Sequence, residues 1–581
     1  MRLNLKLNTI IKPILKNEID DLKVKIGLEI HARILSRTKI FSDADCYDLV
    51  NSPTNSNVAY FDVAFPGTMP TLNRKCVEAG LSTALALNCQ INAISYFERK
   101  HYFYSDLPAG YQITQEKRPV ALNGNFQYPV IDPKTHKLTY KSCRIRRIQL
   151  EHDSARSLHI GDFDFKFKDN NNQKIPSTAM LIDLNRAGIG LMEIVTEPDF
   201  ESAFDCYSFT RELALVLRSI STCSALMNDG AFRVDVNVSV HKQDKSTDPP
   251  TLLPGIRVEL KNLNSFASVL KATEYEIKRQ KTMIKENKTI HMETRTYDSN
   301  LNKTISIRSK EDQYDYRFMP EPNILPLVVY PSRTFKPIYV NEKNAYECEN
   351  NARLLFDKSY LNKLDEFKLD DNFYVDLDKV RDDFNLKSLP QIRRNKLIEK
   401  YGLTHENAFV FVANDLDEIL FEIAPLTDDK EYIKKCVGIL LFEYLNQLNK
   451  YSDRLEKYDF KLKCKKIKSY VDVMNDNLIS KRIKYKFFGE LFEDENMNKV
   501  AIELIREKNL FIVNDIGIIQ SKINDLFELN KKACDEYVRK EKKRVKIFDF
   551  FVGKVHKELN ELADQTIVDK LVDESLKKLL K

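Results

Sequence analysis

No two cysteines in this 581-residue chain are separated by only two residues. The ten cysteines stand apart, at 46, 76, 89, 143, 206, 223, 348, 436, 464 and 534. That spacing argues against a cysteine zinc knuckle and against a secreted disulfide framework, so free thiols in a reducing compartment are expected. No run of 18 apolar residues occurs, so no transmembrane helix and no membrane partner is expected. No Gly-x-x-x-x-Gly-Lys-Ser/Thr string occurs, which excludes a standard P-loop phosphate cradle. Internal repeats and low-complexity tracts are also missing. The hydrophobic fraction of 43% is ordinary for a soluble protein, and the length calls for two to four domains.

Charge excess is lacking over most of the chain. The net charge is +6, and residues 431–581 hold all of it, with 32 Lys+Arg against 26 Asp+Glu. Two clusters dominate that region: Lys461, Lys463, Lys465, Lys466 and Lys468, then Arg539, Lys540, Lys542, Lys543, Arg544 and Lys546. A basic region on a neutral protein points to a phosphate-backbone partner; the alternative is a solvated lysine-rich helical face. At the other end, Met1–Asn17 carries Arg2, Lys6, Lys12 and Lys16 with no acid before Glu18. Leu3, Leu7, Ile10, Ile11 and Ile14 recur there at helical spacing. Residues 1–20 therefore read as a mitochondrial transit segment, against which Pro13 and the scarcity of Ser weigh.

From Lys23 to about Val340 the hydrophobic period is mostly two, with helices interposed. Val24, Ile26, Leu28, Ile30, Ala32 and Ile34 alternate with Lys25, Gly27, Glu29, His31 and Arg33. Val234, Val236, Val238 and Val240 do the same against Arg233, Asp235, Asn237, Ser239 and His241. Arg257, Glu259 and Lys261 alternate with Val258 and Leu260. Strands with one apolar and one densely polar face predict a largely antiparallel sheet, helices behind it and a polar concave surface. Helical periodicity marks Asn73–Leu87, Ser202–Ile220 and Ser265–Glu286. After Pro331 the pattern becomes helical, with Leu389–Gly402 started by Pro390 and stopped by Gly402. The fold class expected is α+β: a cradle built on a largely antiparallel sheet over 21–340, a helical linker over 345–430 and a basic all-α tail over 431–581.

Glu29 and His31, two apart on a strand, project from one face about 6.5–7 Å apart at Cα and can converge on one ion. Arg147, Gln149, Glu151 and Asp153 form a second polar face. Glu193 sits in the apolar run Ile189–Val195, where a buried carboxylate needs a cation or several donors. Three carboxylates and one imidazole suit Mg²⁺ or Mn²⁺; separate structural salt bridges are the alternative.

The densest segment is Arg99-Lys100-His101-Tyr102-Phe103-Tyr104-Ser105-Asp106-Leu107-Pro108-Ala109-Gly110-Tyr111-Gln112. Its aromatics and cations fit a wall that stacks on a nucleotide or polyanion. As a string it resembles the signature of the B subunits of the tRNA-dependent glutamyl/aspartyl amidotransferases, mitochondrial members most of all. Gly27-Leu28-Glu29-Ile30-His31, Asp62-Val63-Ala64-Phe65-Pro66-Gly67, Leu150-Glu151-His152-Asp153, Asp183-Leu184-Asn185-Arg186-Ala187-Gly188, Leu191-Met192-Glu193-Ile194-Val195 and Asp315-Tyr316-Arg317-Phe318-Met319-Pro320 carry the same resemblance.

The resemblance implies an ATP-dependent ligase. Such an enzyme phosphorylates the glutamyl γ-carboxylate of Glu-tRNA(Gln) and amidates it with ammonia from a partner glutaminase. It implies Glu29, His31, Glu151 and Glu193 as Mg²⁺ ligands at the catalytic site, with Arg99, Lys100 and Arg317 toward ATP. It also implies as partners an A subunit that is an amidase, a small C subunit and a misacylated tRNA. The mitochondrial matrix is the expected location, and the cytoplasm of a bacterium the alternative. Asp-tRNA(Asn) as substrate and a non-catalytic tRNA-binding scaffold are the rival readings. The chain departs from the family at Glu98, His152, Ala155-Arg156 and Ala231, and its tail lacks expected glycines.

Overall fold

The computed structural model describes residues 22–46, 51–132, 135, 137–159, 180–244, 251–309, 316–330, 333, 374–425, 429–450, 455 and 457–580. The expected transit segment lies outside them. The chain divides into two compact units, one ending at Ile392 and the other beginning at Arg393.

Eighteen strands are described in the first unit: β1 Leu22–Arg33, β2 Gln90–Ile91, β3 Ile94–Ser95, β4 Glu98–His101, β5 Tyr111–Thr114, β6 Ala121–Ile131, β7 Leu138–His152, β8 Arg156–His159 and β9 Met180–Asp183 precede β10 Gly190–Thr196, β11 Phe232–Asp244, β12 Thr251–Leu253, β13 Val258–Leu263, β14 Glu293–Asp298, β15 Lys303–Ser309, β16 Arg317–Pro320, β17 Leu327–Tyr330 and β18 Tyr374–Asp376. Ten of them form one sheet in the order β15-β14-β13-β11-β1-β10-β7-β6-β2, with β12 beside β11. Neighbours are antiparallel except β13 and β14, which run parallel. That pair needs a crossover, and helix α3 (Phe266–Lys285) supplies it.

The three helices expected from periodicity form within one residue of their expected ends. They are α1 (Arg74–Ala86), α2 (Ala203–Ser219) and α3. Asn73, Ser202 and Ser265 cap them, each side chain accepting a hydrogen bond from a backbone N–H of the first turn. Their apolar residues, Val77, Leu81, Phe209, Leu213, Val269 and Ala272 among them, share one core with Ile26, Leu28, Ile30, Ile148, Leu150, Met192, Ile194, Val234 and Val236 of the sheet. One face of the sheet is thus sealed under the helices, and the alternate residues of β1, β7, β10 and β11 are committed to the other face.

Apolar packing carries this first unit further than composition suggests. Val375, Leu377 and Val380 belong to its core, and β18 pairs with β17. The helix expected around 389–402 spans Pro390–Tyr401, with Gly402 at φ +66° ending it. The second unit is helical and holds two cores, one drawn from residues 397–505 and one from residues 519–576. Of the lysines in its first basic cluster, Lys461, Lys465 and Lys468 are exposed. Lys466 is buried, and its ammonium donates to the carbonyls of Leu491, Asn496 and Lys499 at 3.0, 2.6 and 2.6 Å. It is therefore a structural cation and faces no phosphate. Among the described residues no helix is long and apolar enough to cross a membrane, and the nine described cysteines are free thiols.

Candidate active site

Register assembles the site. On β1, His31 lies opposite Glu193 of β10 on one side and opposite Arg233 of β11 on the other. Glu193 in turn lies opposite Gln149 of β7. Glu151, two residues beyond Gln149, keeps to the same face. Positions far apart in sequence thus meet on the polar side of four adjacent strands.

His31 is the centre. Its Nε2 lies 3.7 Å from Glu29 Oε1, 3.8 Å from Glu151 Oε1 and 3.8 Å from Glu193 Oε2. All three distances exceed hydrogen-bonding range. Glu29, His31 and Glu193 offer one ligand atom each within 4.8 Å of one another. Glu151 joins them through its approach to His31.

The carboxylates are poorly solvated: Glu151 and Glu193 are 3% and 6% exposed. Burial pushes the Glu151 carboxyl up against the pull of Lys100. Burial, then the charges of Glu151 and Glu29, pushes Glu193 well up. Burial, helped by the Arg233 charge, holds the His31 imidazole down at about 3, so it is neutral and keeps a lone pair.

Compensation inside the protein is thin. Gln149 donates to Glu193 Oε2 at 3.0 Å, and Thr114 donates to Glu151 Oε2 at 3.1 Å. Arg147 comes only within 3.9 Å of Glu193, because its other guanidinium nitrogen is bonded to Glu116 at 2.8 Å. The Gln149 carbonyl oxygen is buried with no partner among the described residues. Carboxylates confined in this way cost several kcal/mol unless a cation joins them. A neutral imidazole, three carboxylates and a spare amide oxygen fit a hard divalent cation.

Arg233 and Asp153 form the next layer. Arg233 donates to Asp153 at 2.9 Å, and Arg186 lies 3.7 Å from the same carboxylate. Beyond Glu29, Lys261 bridges Asp235 and Glu259 at 3.3 and 3.4 Å. Burial raises the Asp235 carboxyl to about 6 against the pull of Lys261.

The expected ATP-facing cations separate. Arg99 and Lys100 are consecutive on β4 and so face opposite ways. Arg99 is clamped to the buried Glu321 at 2.6 and 3.0 Å and lies over the Tyr111 ring. Lys100 is turned toward the carboxylates, and its charge acts on His31, Glu151 and Glu193. Arg317 is exposed on β16, opposite His101.

His152 points to the apolar side, as alternation requires. Its ring accepts from the Ile113 N–H at 3.1 Å and packs edge-on against Phe41. Glu98 accepts from the N–H groups of Glu116 and Lys117 and so holds a turn. Sequence reading missed Thr114 and Glu116. Both lie in the segment Tyr111–Lys117, where only the two-residue spacing of Gln112, Thr114 and Glu116 marks a shared face.

Residues 24–334 match the family described as the GatB/GatE catalytic domain, and residues 422–576 match the GatB domain. The chain is 34% identical to the B subunit of the mitochondrial glutamyl-tRNA(Gln) amidotransferase of Homo sapiens, covering 95% of this chain and 88% of that protein. It is 35% identical to the Drosophila melanogaster protein of the same name, over 96% and 95% of the two chains. It is 33% identical to the B subunit of the aspartyl/glutamyl-tRNA(Asn/Gln) amidotransferase of Rickettsia canadensis (strain McKiel), over 95% and 97%. The chain belongs to the GatB/GatE family, among the B subunits of the tRNA amidotransferases.

Proposed function

We propose that this chain converts Glu-tRNA(Gln) to Gln-tRNA(Gln) within an amidotransferase built of several subunits. The observation that carries the reading is the convergence of Glu29, Glu151 and Glu193 on the His31 imidazole. In the reaction, an oxygen of the glutamyl γ-carboxylate attacks the γ-phosphorus of ATP. ADP leaves, and an acyl phosphate forms. Ammonia then attacks the acyl carbon, phosphate departs with its bonding pair, and a proton lost from nitrogen leaves the amide.

Glu29, His31, Glu151 and Glu193 would hold Mg²⁺, which offsets the charge gathered on the phosphates. The protein's own part is to position and to exclude water. Gln149 and Thr114 fix the carboxylates in place, and Asp153 holds Arg233 beside His31. Lys100 supplies positive charge toward the same face, with Arg99 and Arg317 as the further candidates for ATP contact. Ammonia comes from the amidase that forms the A subunit, tied in by a small C subunit, because this chain carries no glutaminase nucleophile motif. Residues 431–581 grip the tRNA. The matrix of a mitochondrion is the proposed location, supported by the mitochondrial relatives and the basic N-terminus.

A second reading, amidation of Asp-tRNA(Asn), is favoured by the substrates in the name of the Rickettsia relative. The test is amidation by the assembled complex with Glu-tRNA(Gln) and Asp-tRNA(Asn) in parallel. ATP-dependent product from the first supports the reading. Product only from the second replaces the substrate, and no product from either returns the chain to a tRNA-binding scaffold.

A further inference from the structure

Three consecutive residues at and just beyond the end of β5 are tied to β7. The Thr114 hydroxyl accepts from Gln149 Nε2 and donates to Glu151 Oε2, each at 3.1 Å. The wholly buried Gln115 accepts from the Leu150 N–H at 3.0 Å. Glu116 accepts from Arg147 Nη1 at 2.8 Å. The turn that carries Glu116 is also fixed from β4, where the buried Glu98 accepts from the N–H groups of Glu116 and Lys117 at 3.0 and 2.9 Å. Among the described residues Glu116 bonds to none of the four candidate ligands, yet it is placed as firmly as Thr114.

Arg147 gives that placement a consequence, because its guanidinium stands between two carboxylates. Alternation on β7 puts it on the face of Gln149 and Glu151, and register sets it opposite Val195, two residues from Glu193. Nη1 is bonded to Glu116, while Nη2 stops 3.9 Å from Glu193 Oε1. Nε is buried with no partner among the described residues. The guanidinium thus has donors to spare for a second carboxylate. An approach about 1 Å closer would bring it into hydrogen-bonding range of Glu193. Guanidinium and carboxylate pair as two parallel forks, which engages the lone pairs of both oxygens. A hard divalent cation needs the same lone pairs, so Arg147 and the ion are rivals for Glu193. Glu193 is buried, whereas Glu116 is partly exposed and can keep the arginine without drawing on the site.

We propose that Glu116 is a positioning residue: it holds Arg147 off Glu193 and so keeps that carboxylate open to the divalent cation. The proposal rests on the reading of Glu29, His31, Glu151 and Glu193 as a metal site. Without Glu116, the next carboxylate in reach of Arg147 is Glu193. The arginine then competes as a tethered cation, whose effective concentration is high because it never leaves the site. Residues that fix the surroundings of metal ligands typically set metal affinity by about 10–100-fold. Glu116 acts in this way through Arg147 and touches neither the ion nor the reacting atoms.

The test titrates the assembled complex with Mn²⁺, which takes the same oxygen and imidazole ligands, in the absence of ATP and tRNA. Free Mn²⁺ is read by electron paramagnetic resonance. Loss of binding in Glu193→Gln identifies the site. Glu116→Ala is expected to weaken Mn²⁺ binding by about tenfold or more. Glu116→Gln, nearly equal in volume, should act in the same direction, and it decides the matter where the alanine complex does not assemble. Arg147→Met keeps the apolar stem without the charge. Added to Glu116→Ala, it should restore affinity to within about twofold of wild type, and alone it should not weaken binding. Rescue of this kind separates positioning from a merely structural role, since a damaged turn would stay damaged in the double variant. Equal weakening in the single and double variants would overturn the proposal, as would wild-type affinity in both Glu116 variants. A wild-type complex with no Mn²⁺ that depends on Glu193 would overturn the metal reading and the proposal together.

Discussion

His31 and Glu193 face each other across β1 and β10, with the imidazole Nε2 3.8 Å from the carboxylate Oε2. The pair is too far apart to hydrogen-bond and too close to ignore electrostatically. Replacing Glu193 by Gln removes charge at constant volume, and His31→Ala removes one nitrogen donor. Each is expected to lower tRNA-dependent ATP hydrolysis and amide formation together by about 10²-fold, near 2.7 kcal/mol of transition-state stabilisation. Glutamine hydrolysis by the partner glutaminase should change far less. The ratio of ATPase to glutaminase in assembled mutant complexes is the measurement; a wild-type ratio means that these residues serve structure alone.

Gly188 stands where the chain turns into β10, at φ +84°. A Cβ there would lie 2.6 Å from Asp62 Oδ1 and 3.3 Å from Lys39 Cδ. Those two atoms cannot withdraw, because Lys39 and Asp62 are a buried ion pair at 2.9 Å. Gly188→Ala should therefore destabilise the first unit by about 2–4 kcal/mol, combining left-handed strain with overpacking. Thermal unfolding followed by circular dichroism checks it, and an unchanged midpoint would refute it.

The lysines of the helix Phe460–Asn475 should behave in two ways. Lys466→Met leaves three carbonyls without their donor, so a loss of about 3 kcal/mol or more in the stability of the second unit is expected. Converting the exposed Lys461, Lys465 and Lys468 to Ala should leave stability alone. If the tail grips tRNA, the triple change weakens tRNA binding and lowers its salt slope by about one for each phosphate no longer neutralised. Salt-titrated tRNA binding, read beside urea unfolding, separates the effects. Unaltered tRNA affinity would return these lysines to a solvated face.

His556 is wholly buried in the tail core, and neither ring nitrogen has a partner among the described residues. Burial, and then the Arg482 charge, holds its pKa below the ordinary 6.5. The folded chain therefore binds this proton less readily than the unfolded chain. Stability is full above about pH 6.5 and is lost as pH falls toward the folded value, by at most about 1.4 kcal/mol per pH unit. His556→Leu should flatten the acid side of the stability profile between pH 6.5 and 5. Parallel profiles for wild type and variant would show that another group sets the acid limit.

The N-terminal segment makes a separate expectation. Fusing about the first 40 residues to a reporter should carry it into mitochondria. Changing Arg2, Lys6, Lys12 and Lys16 to Glu should stop import, since the membrane potential draws positive charge inward. A reporter that stays in the cytosol would favour the bacterial-style location.

Much of the architecture is local, and the sequence by itself determined it. Alternation of period two committed Glu29 and His31 to one face and Ile30 to the other, because successive strand side chains must point opposite ways. Asn73, Ser202 and Ser265 marked their helix starts because a side-chain oxygen there accepts from first-turn N–H groups that have no other partner. Pro390 and Gly402 bounded their helix through fixed and left-handed φ. Tertiary structure alone decided which strands are neighbours. No local rule places β10 between β1 and β7, yet that register alone puts Glu193 against His31 and beside Gln149. The same holds for the parallel pairing of β13 and β14 and for β18, which joins the first core from beyond residue 370. Lys466 shows the limit most plainly. Five lysines in one helix read alike in sequence, and only the packing of Leu491, Asn496 and Lys499 around one of them turned a surface charge into a buried strut.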